Sequence, residues 1–264
     1  AASLPVNRIH YIMGVRKVGK VQYDDILRKL ETLSNPNAVA GMAKYGITPQ
    51  RSYGVSMPEL RKMAKEIGVD HTLAAQLWAS TSRGSMSAHK GKDDPDMVTE
   101  EQMGSWVKDI DYWELCDQCC LNLFKKTRFA YQKADKWSSN NREFVKRAGF
   151  VLMAHLAISD RKADDKLFEG FLPIIKREAS DNRNFVKKAV NWALRQIGKR
   201  NLNLNRKAIE TAREIEKVNS RSAKWVALDA IRELTSEATQ RRLQSKKASL
   251  RSSARLHHKP ENIK

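Results

Sequence analysis

The stretch from Trp106 to Cys120 concentrates the side chains that could do chemistry: two tryptophans, three cysteines and a run of carboxylates, in a chain that is otherwise strongly basic. If the stretch is helical, Trp113 and Asp117 stand four residues apart and share one face. That sets an aromatic plane beside a carboxylate inside a cationic protein. Cys116 and Cys119 form a C-x-x-C, a spacing that metal and redox sites use. No second pair and no nearby histidine completes a zinc site, so Cys116, Cys119 and Cys120 read as small buried residues of a helix. Three crowded cysteines suit a reducing compartment better than a disulfide framework.

The elements around this stretch follow from apolar spacing and breakers. Ile26, Leu27, Leu30 and Leu33 predict a helix from Tyr23 to Leu33, and Asn35-Pro36-Asn37 breaks that helix or starts the next. A short helix is expected from Val39 to Tyr45. Ser56 and Pro58 predict a helix start, and Gly68 closes the helix that follows. Asp70 opens another. Residues 81–97 are polar, basic and poor in periodic apolar positions, which predicts a loop or a poorly formed helix. Thr99 then caps the next helix, with Gln102 at the capping-box position. Asp109 and Asp111 read as the turn before the Trp113 helix. Trp78, Trp106, Tyr112, Trp137, Trp225 and His155 read as core.

The second half repeats itself. Asn141-Arg-Glu-Phe-Val-Lys-Arg-Ala and Asn182-Arg-Asn-Phe-Val-Lys-Lys-Ala recur 41 residues apart. A weaker third copy begins near Arg221, with Trp225-Val226 about where Phe185-Val186 would recur. Helical repeats of ~40–47 residues mark HEAT- or armadillo-like arrays. The expected fold is therefore all-α: a curved solenoid of antiparallel helix pairs with a concave basic face. Each full copy places basic residues at a helix start, Arg142, Lys146 and Arg147 in one and Arg183, Lys187 and Lys188 in the other. Helix N-termini carrying cations in repeat predict a phosphate-binding track.

Composition narrows the partner. A formal net charge of +19 over 264 residues makes a polyanion the default, either nucleic acid or an acidic membrane surface. Only 7 prolines and 12 glycines agree with a helical chain. No apolar run is long enough to span a bilayer and no signal peptide is visible. The expected organisation is an N-terminal arm over 1–20, a repeat domain over 21–238 and a basic tail over 239–264.

Four blocks in order carry a family resemblance: Tyr53-Gly-Val-Ser-Met-Pro-Glu-Leu-Arg-Lys, Trp113-Glu-Leu-Cys-Asp117, Phe144-Val-Lys-Arg-Ala and Phe185-Val-Lys-Lys-Ala-Val-Asn-Trp-Ala-Leu-Arg-Gln-Ile-Gly198. They resemble the HEAT-like-repeat DNA alkylation repair proteins, the AlkD-like DNA glycosylases, from about Tyr23 to about Leu234. The last block is the most specific. The segment 81–97 and the basic tail depart from the family pattern.

The resemblance implies excision of N3- and N7-alkylated purines from duplex DNA, with 3-methyladenine and 7-methylguanine as the model lesions. It implies an aromatic and an aspartate one turn apart, matched by Trp113 and Asp117, an arginine matched by Arg147 and a second tryptophan matched by Trp192. Such a base is already cationic and leaves readily, while positive charge develops on the deoxyribose. Asp117 would stabilise that charge and orient water. Trp113 and Trp192 would flank it with cation–π attraction of ~0.5–2 kcal/mol each. Arg147 would hold a phosphate beside the lesion. No metal or cofactor is required, and the protein is expected to act as a monomer in the cytoplasm near the nucleoid, or in a nucleus. The alternative is a non-catalytic helical-repeat protein that binds damaged or branched DNA; a scaffold for a protein partner ranks last.

Overall fold

The computed structural model describes residues 23–45, 53–67, 72–74, 78 and 95–256. The expected arm over 1–20, nearly all of the expected loop over 81–97 and the helix start at Asp70 lie outside them. The chain divides into two compact units, residues 1–152 and 153–264, with the division inside one long helix. Among the described residues both are built of α-helices and short 3-10 turns, with no strand. The all-α class with paired antiparallel helices is as the sequence predicts. Among the described residues no helix is long and apolar enough to cross a membrane.

In the first unit α1 spans Tyr23–Thr32 and buries Ile26 and Leu30. Helix α2 spans Pro36–Met42, so Asn35-Pro36-Asn37 starts a helix, three residues before Val39. The reason is local: Asn35 Oδ1 accepts from Ala38 N at 3.1 Å, and Pro36 fills the first helical position, where no N–H is needed. A 3-10 turn over Ala43–Tyr45 follows. Gly54 lies in the left-handed region at φ 64°, and a Cβ there would sit 2.2 Å from Asn35 O. Helix α3 spans Met57–Ile67, with Ser56 Oγ 3.4 Å from Glu59 N at its start.

Helix α4 spans Glu100–Asp109 and is capped by Thr99, whose side chain accepts from Gln102 N. Trp78 stacks on its Trp106 at 4.6 Å and donates from Nε1 to Asp109 Oδ2 at 3.1 Å. Asp109 therefore ends α4, and only Asp111 belongs to the turn. Helix α5 spans Trp113–Asn122 and α6 Ala130–Ser138. Helix α7, Glu143–Ser159, contains the unit division. Its residues Phe150 to Ala154 are all fully buried, as expected of a helix apolar on every side.

The second unit continues with α8 (Asp165–Glu178), α9 (Asn184–Gly198), α10 (Leu202–Glu216), α11 (Arg221–Leu234) and α12 (Glu237–Leu256). Helix α9 packs on α8, α10 and α11, and α8 packs on α10, so each helix meets its neighbour and its neighbour's neighbour. This is the contact pattern of stacked helix pairs. Buried asparagines tie the stack: Asn191 Nδ2 donates to Val226 O at 3.1 Å, and Asn205 Nδ2 donates to Gly198 O at 3.0 Å. Each amide ties its helix to the backbone it meets, and its own buried N–H group gains a partner in doing so.

The third repeat copy needs a correction. Helices α7, α9 and α11 start at Glu143, Asn184 and Arg221. The third start comes four residues sooner than the spacing of the first two predicts. Trp225 therefore corresponds to Lys188 and Arg147, one turn away from the place the sequence register gave it beside Phe185. Val145, Val186 and Ala223 then fill one common buried position, in agreement with the alignment of the helix starts. Ser220 caps α11 by accepting from Ala223 N. Trp225 is also not core: it is 40% exposed.

Candidate functional site

Helix α5 is seated on α7 by two thiols. Cys116 Sγ lies 3.6 Å from Phe144 O and Cys120 Sγ lies 3.7 Å from Ala148 O. Both cysteines, and Cys119 beside them, are fully buried, so they set the register of two helices. That register brings Asp117, next to Cys116, against Arg147, next to Ala148. Arg147 Nε donates to Asp117 Oδ1 at 2.9 Å and Arg147 Nη2 to Asp117 Oδ2 at 2.8 Å. The two parallel bonds form the planar fork that guanidinium and carboxylate favour. The Asp117 side chain keeps 20% of its surface exposed, while Arg147 keeps 7%.

Trp113 stands one turn before Asp117 and is half-buried. Its Nε1 donates to Tyr45 O at 2.9 Å, which pins the indole to the end of the α2 segment. Burial pushes the Asp117 carboxyl above the ordinary aspartate range, against the opposing pull of Arg147. Glu114, between Trp113 and Asp117, is also raised, by burial first and by the charge of Asp117 second. It borders a cavity of about 360 Å³ whose other walls include Met42, Val55 and Met57. Two carboxyls with raised affinity for protons thus sit on consecutive turns of α5. Glu114 was missed by the sequence reading, because nothing in its spacing distinguishes it from a surface glutamate; only its burial does.

The other sequence-predicted residues divide by surroundings. Arg142 is exposed at the start of α7, and Lys146 on the first turn is 8% exposed, so it is buried instead of lining an open track. Arg147, expected on a phosphate, has two of its donors on Asp117. In the second unit Arg183 is forked onto Asp181, with Nη2 to Oδ2 at 2.5 Å. Lys188 is exposed. The Lys187 ammonium lies over the Trp225 ring, 5.1 Å from its centroid. Trp192, also in the second unit, is half-buried. His155 meets it edge-on at 5.0 Å, and the Gln196 amide, turned with its oxygen toward Lys199 Nζ and Trp192 Nε1, accepts from the indole at 3.0 Å. The structure thus brings Trp113, Asp117 and Arg147 together in one unit and places Trp192, Lys187 and Lys188 in the other.

Comparison with solved structures finds a protein of a new family related to the HEAT-like repeat DNA glycosylases with affinity for branched DNA structures. It is 18% identical, with a TM-score of 0.62 over 80% of this chain and 95% of that one. A designed armadillo repeat protein in complex with the peptide (KR)4 is 15% identical, with a TM-score of 0.33 over 90% of this chain and 87% of that one. The first likeness supports the fold of stacked helix pairs. No curated protein matches the sequence. The family model described as DNA alkylation repair enzyme matches residues 26–234, most of the chain and all of the candidate residues described above. The chain belongs to the DNA alkylation repair enzyme family.

Proposed function

We propose that the protein is a monofunctional DNA glycosylase that hydrolyses the N-glycosidic bond of cationic N3- and N7-alkylated purines in duplex DNA. The observation that carries the reading is Asp117: a partly exposed carboxylate, fixed in orientation by the Arg147 fork, one turn from an anchored indole. In the reaction the C1′–N bond breaks, and the base departs with the bonding pair as a neutral purine. The sugar gains positive charge, which the carboxylate stabilises at short range. Water adds to C1′, and its proton passes through the Asp117 carboxylate to solvent. Arg147 would hold the carboxylate for the sugar as well as offering charge to a flanking phosphate. Trp113 would face the sugar or the cationic base. Trp192 is assigned a second aromatic contact, tested by its own variant.

A second reading, DNA binding without excision, is favoured by one observation: both oxygens of Asp117 already accept from Arg147, as in a purely structural ion pair. Release of 7-methylguanine from methylated duplex DNA separates the two. Wild-type protein is expected to release the base, and Asp117→Asn to lose at least ~100-fold in single-turnover rate, the scale for removing one electrostatic stabiliser. No release by folded wild-type protein, or full activity in Asp117→Asn, would replace this reading with the second.

A further inference from the structure

Trp225 is a tryptophan that the function proposed above leaves unused, and it is exposed where a core residue was expected. It is 40% exposed, and Leu228, three residues on, is 55% exposed. Arg221, Trp225, Leu228 and Arg232 follow one another at spacings of four, three and four along α11 and form a single exposed stripe of that helix. By helix starts, Trp225 holds the place in α11 that Lys188 holds in α9 and Arg147 in α7, while Lys224 keeps the lysine that precedes each. The third copy thus retains one cation of the basic pair and exchanges the other for an indole. Lys187, from the preceding copy, brings its ammonium over that indole.

Two-fifths of the Trp225 surface stays open to solvent although Lys187 lies over the ring, so apolar area remains for a ligand to cover. The charges around it identify what would cover it. Arg221, Lys224 and Arg232 are exposed on the same helix. Asp229, one turn on, has its side chain 17% exposed and engaged by Arg195 and Arg232. A cation-lined aromatic whose neighbouring Asp229 is already paired suits a chain that is anionic along its backbone and flat and apolar at its bases. Paired bases are already stacked inside a duplex and offer no face; an unpaired base does.

We infer that Trp225 is a stacking platform for an unpaired nucleobase, with Lys187 and Arg221 taking the adjoining phosphates, so that the protein grips single-stranded segments of DNA at a site distinct from Asp117. The contact is independent of excision: it needs an unstacked base and no alkylated one.

The test measures the affinity of the full chain for a fluorescein-labelled oligothymidine and for a fully paired duplex of equal length. Trp225→Ala is expected to weaken binding to the single strand about tenfold and to leave the duplex affinity within about twofold. Trp225→Phe is expected to restore most of the single-strand affinity, and 5-iodouracil in the oligonucleotide to photocrosslink to Trp225. Unchanged single-strand affinity in Trp225→Ala overturns the inference, as do equal losses on both DNAs. If sedimentation shows a wild-type dimer that Trp225→Ala dissolves while DNA affinity stays constant, the stripe seats a second copy of the chain and the inference fails.

Discussion

Arg147 places two N–H groups on Asp117 and is itself 6% exposed, so deleting Asp117 takes both of these charge-assisted bonds from a buried guanidinium. Breaking a buried pair from one side costs about 3–5 kcal/mol, whereas removing both charges is often close to neutral. Asp117→Ala should therefore lower stability in urea by about 3 kcal/mol at the near end of that range. Adding Arg147→Met should recover most of the loss; equal stability of the single and double variants would show that the guanidinium finds other partners. Asp117 also sets a pH dependence. Burial holds its carboxyl above the ordinary aspartate value, and only the ionised form stabilises a cationic sugar. Base release should then fall as pH drops through the raised value, with the acid limb centred above the ordinary aspartate range of about 3.9. Between those two values the unfolded chain has lost the proton and the folded chain retains it, so stability should fall as pH rises through the same window. A pH–rate profile whose acid limb lies at or below the ordinary value would remove Asp117 as its source.

Two glycines show how tightly the helices are set. Gly149 on α7 faces α6 so closely that a Cβ would lie 2.5 Å from Ser138 N and 2.9 Å from Ala134 O, both backbone atoms that cannot turn aside. Gly149→Ala should force α6 and α7 apart and destabilise by about 1–3 kcal/mol. Gly104, inside α4, has nothing within 4 Å of the same added atom. Gly104→Ala should stabilise by about 0.5–1 kcal/mol, because alanine loses less backbone entropy in a helix. Opposite shifts in melting temperature check the pair. The same scale explains what the sequence could reveal. The Thr99 cap and the α7 and α9 starts were legible because capping and repetition are local. The Asp117–Arg147 fork was not: the two lie thirty residues apart, and their meeting depends on where Cys116 and Cys120 seat α5 on the α7 backbone. Trp225 was misread because the third helix starts one turn early, and a sequence match to Phe-Val outranked the unseen cap at Ser220.

At the scale of the molecule, the charge of +19 does not act as a uniform coat. Some cations are consumed inside the fold. Lys133, with its side chain 5% exposed, is bound to Glu100. Arg195 and Lys199 share Glu233; burial pushes that carboxyl up, but the two cations outweigh it and hold it below the ordinary range. Arg183 is forked onto Asp181. Others, Arg142 and Lys188 among them, stay exposed at helix starts, where backbone N–H groups add to their attraction for anions. The two classes should separate in the salt dependence of DNA binding. Each phosphate neutralised contributes about −0.9 to the slope of log affinity against log salt, through release of condensed counterions. Lys188→Ala and Arg142→Ala should each make the slope shallower by about 0.9, and the double variant by about twice that, because the sites are independent. Lys133→Ala removes the same formal charge and should leave the slope unchanged, since its ammonium already has a carboxylate and almost no surface. Anisotropy titrations of an unmodified duplex between about 50 and 200 mM salt resolve such differences. If Lys133→Ala shifts the slope as much as Lys188→Ala does, net charge alone governs binding, and the helix-start cations are no track. If only the exposed pair shifts it, phosphate recognition belongs to the repeated helix starts.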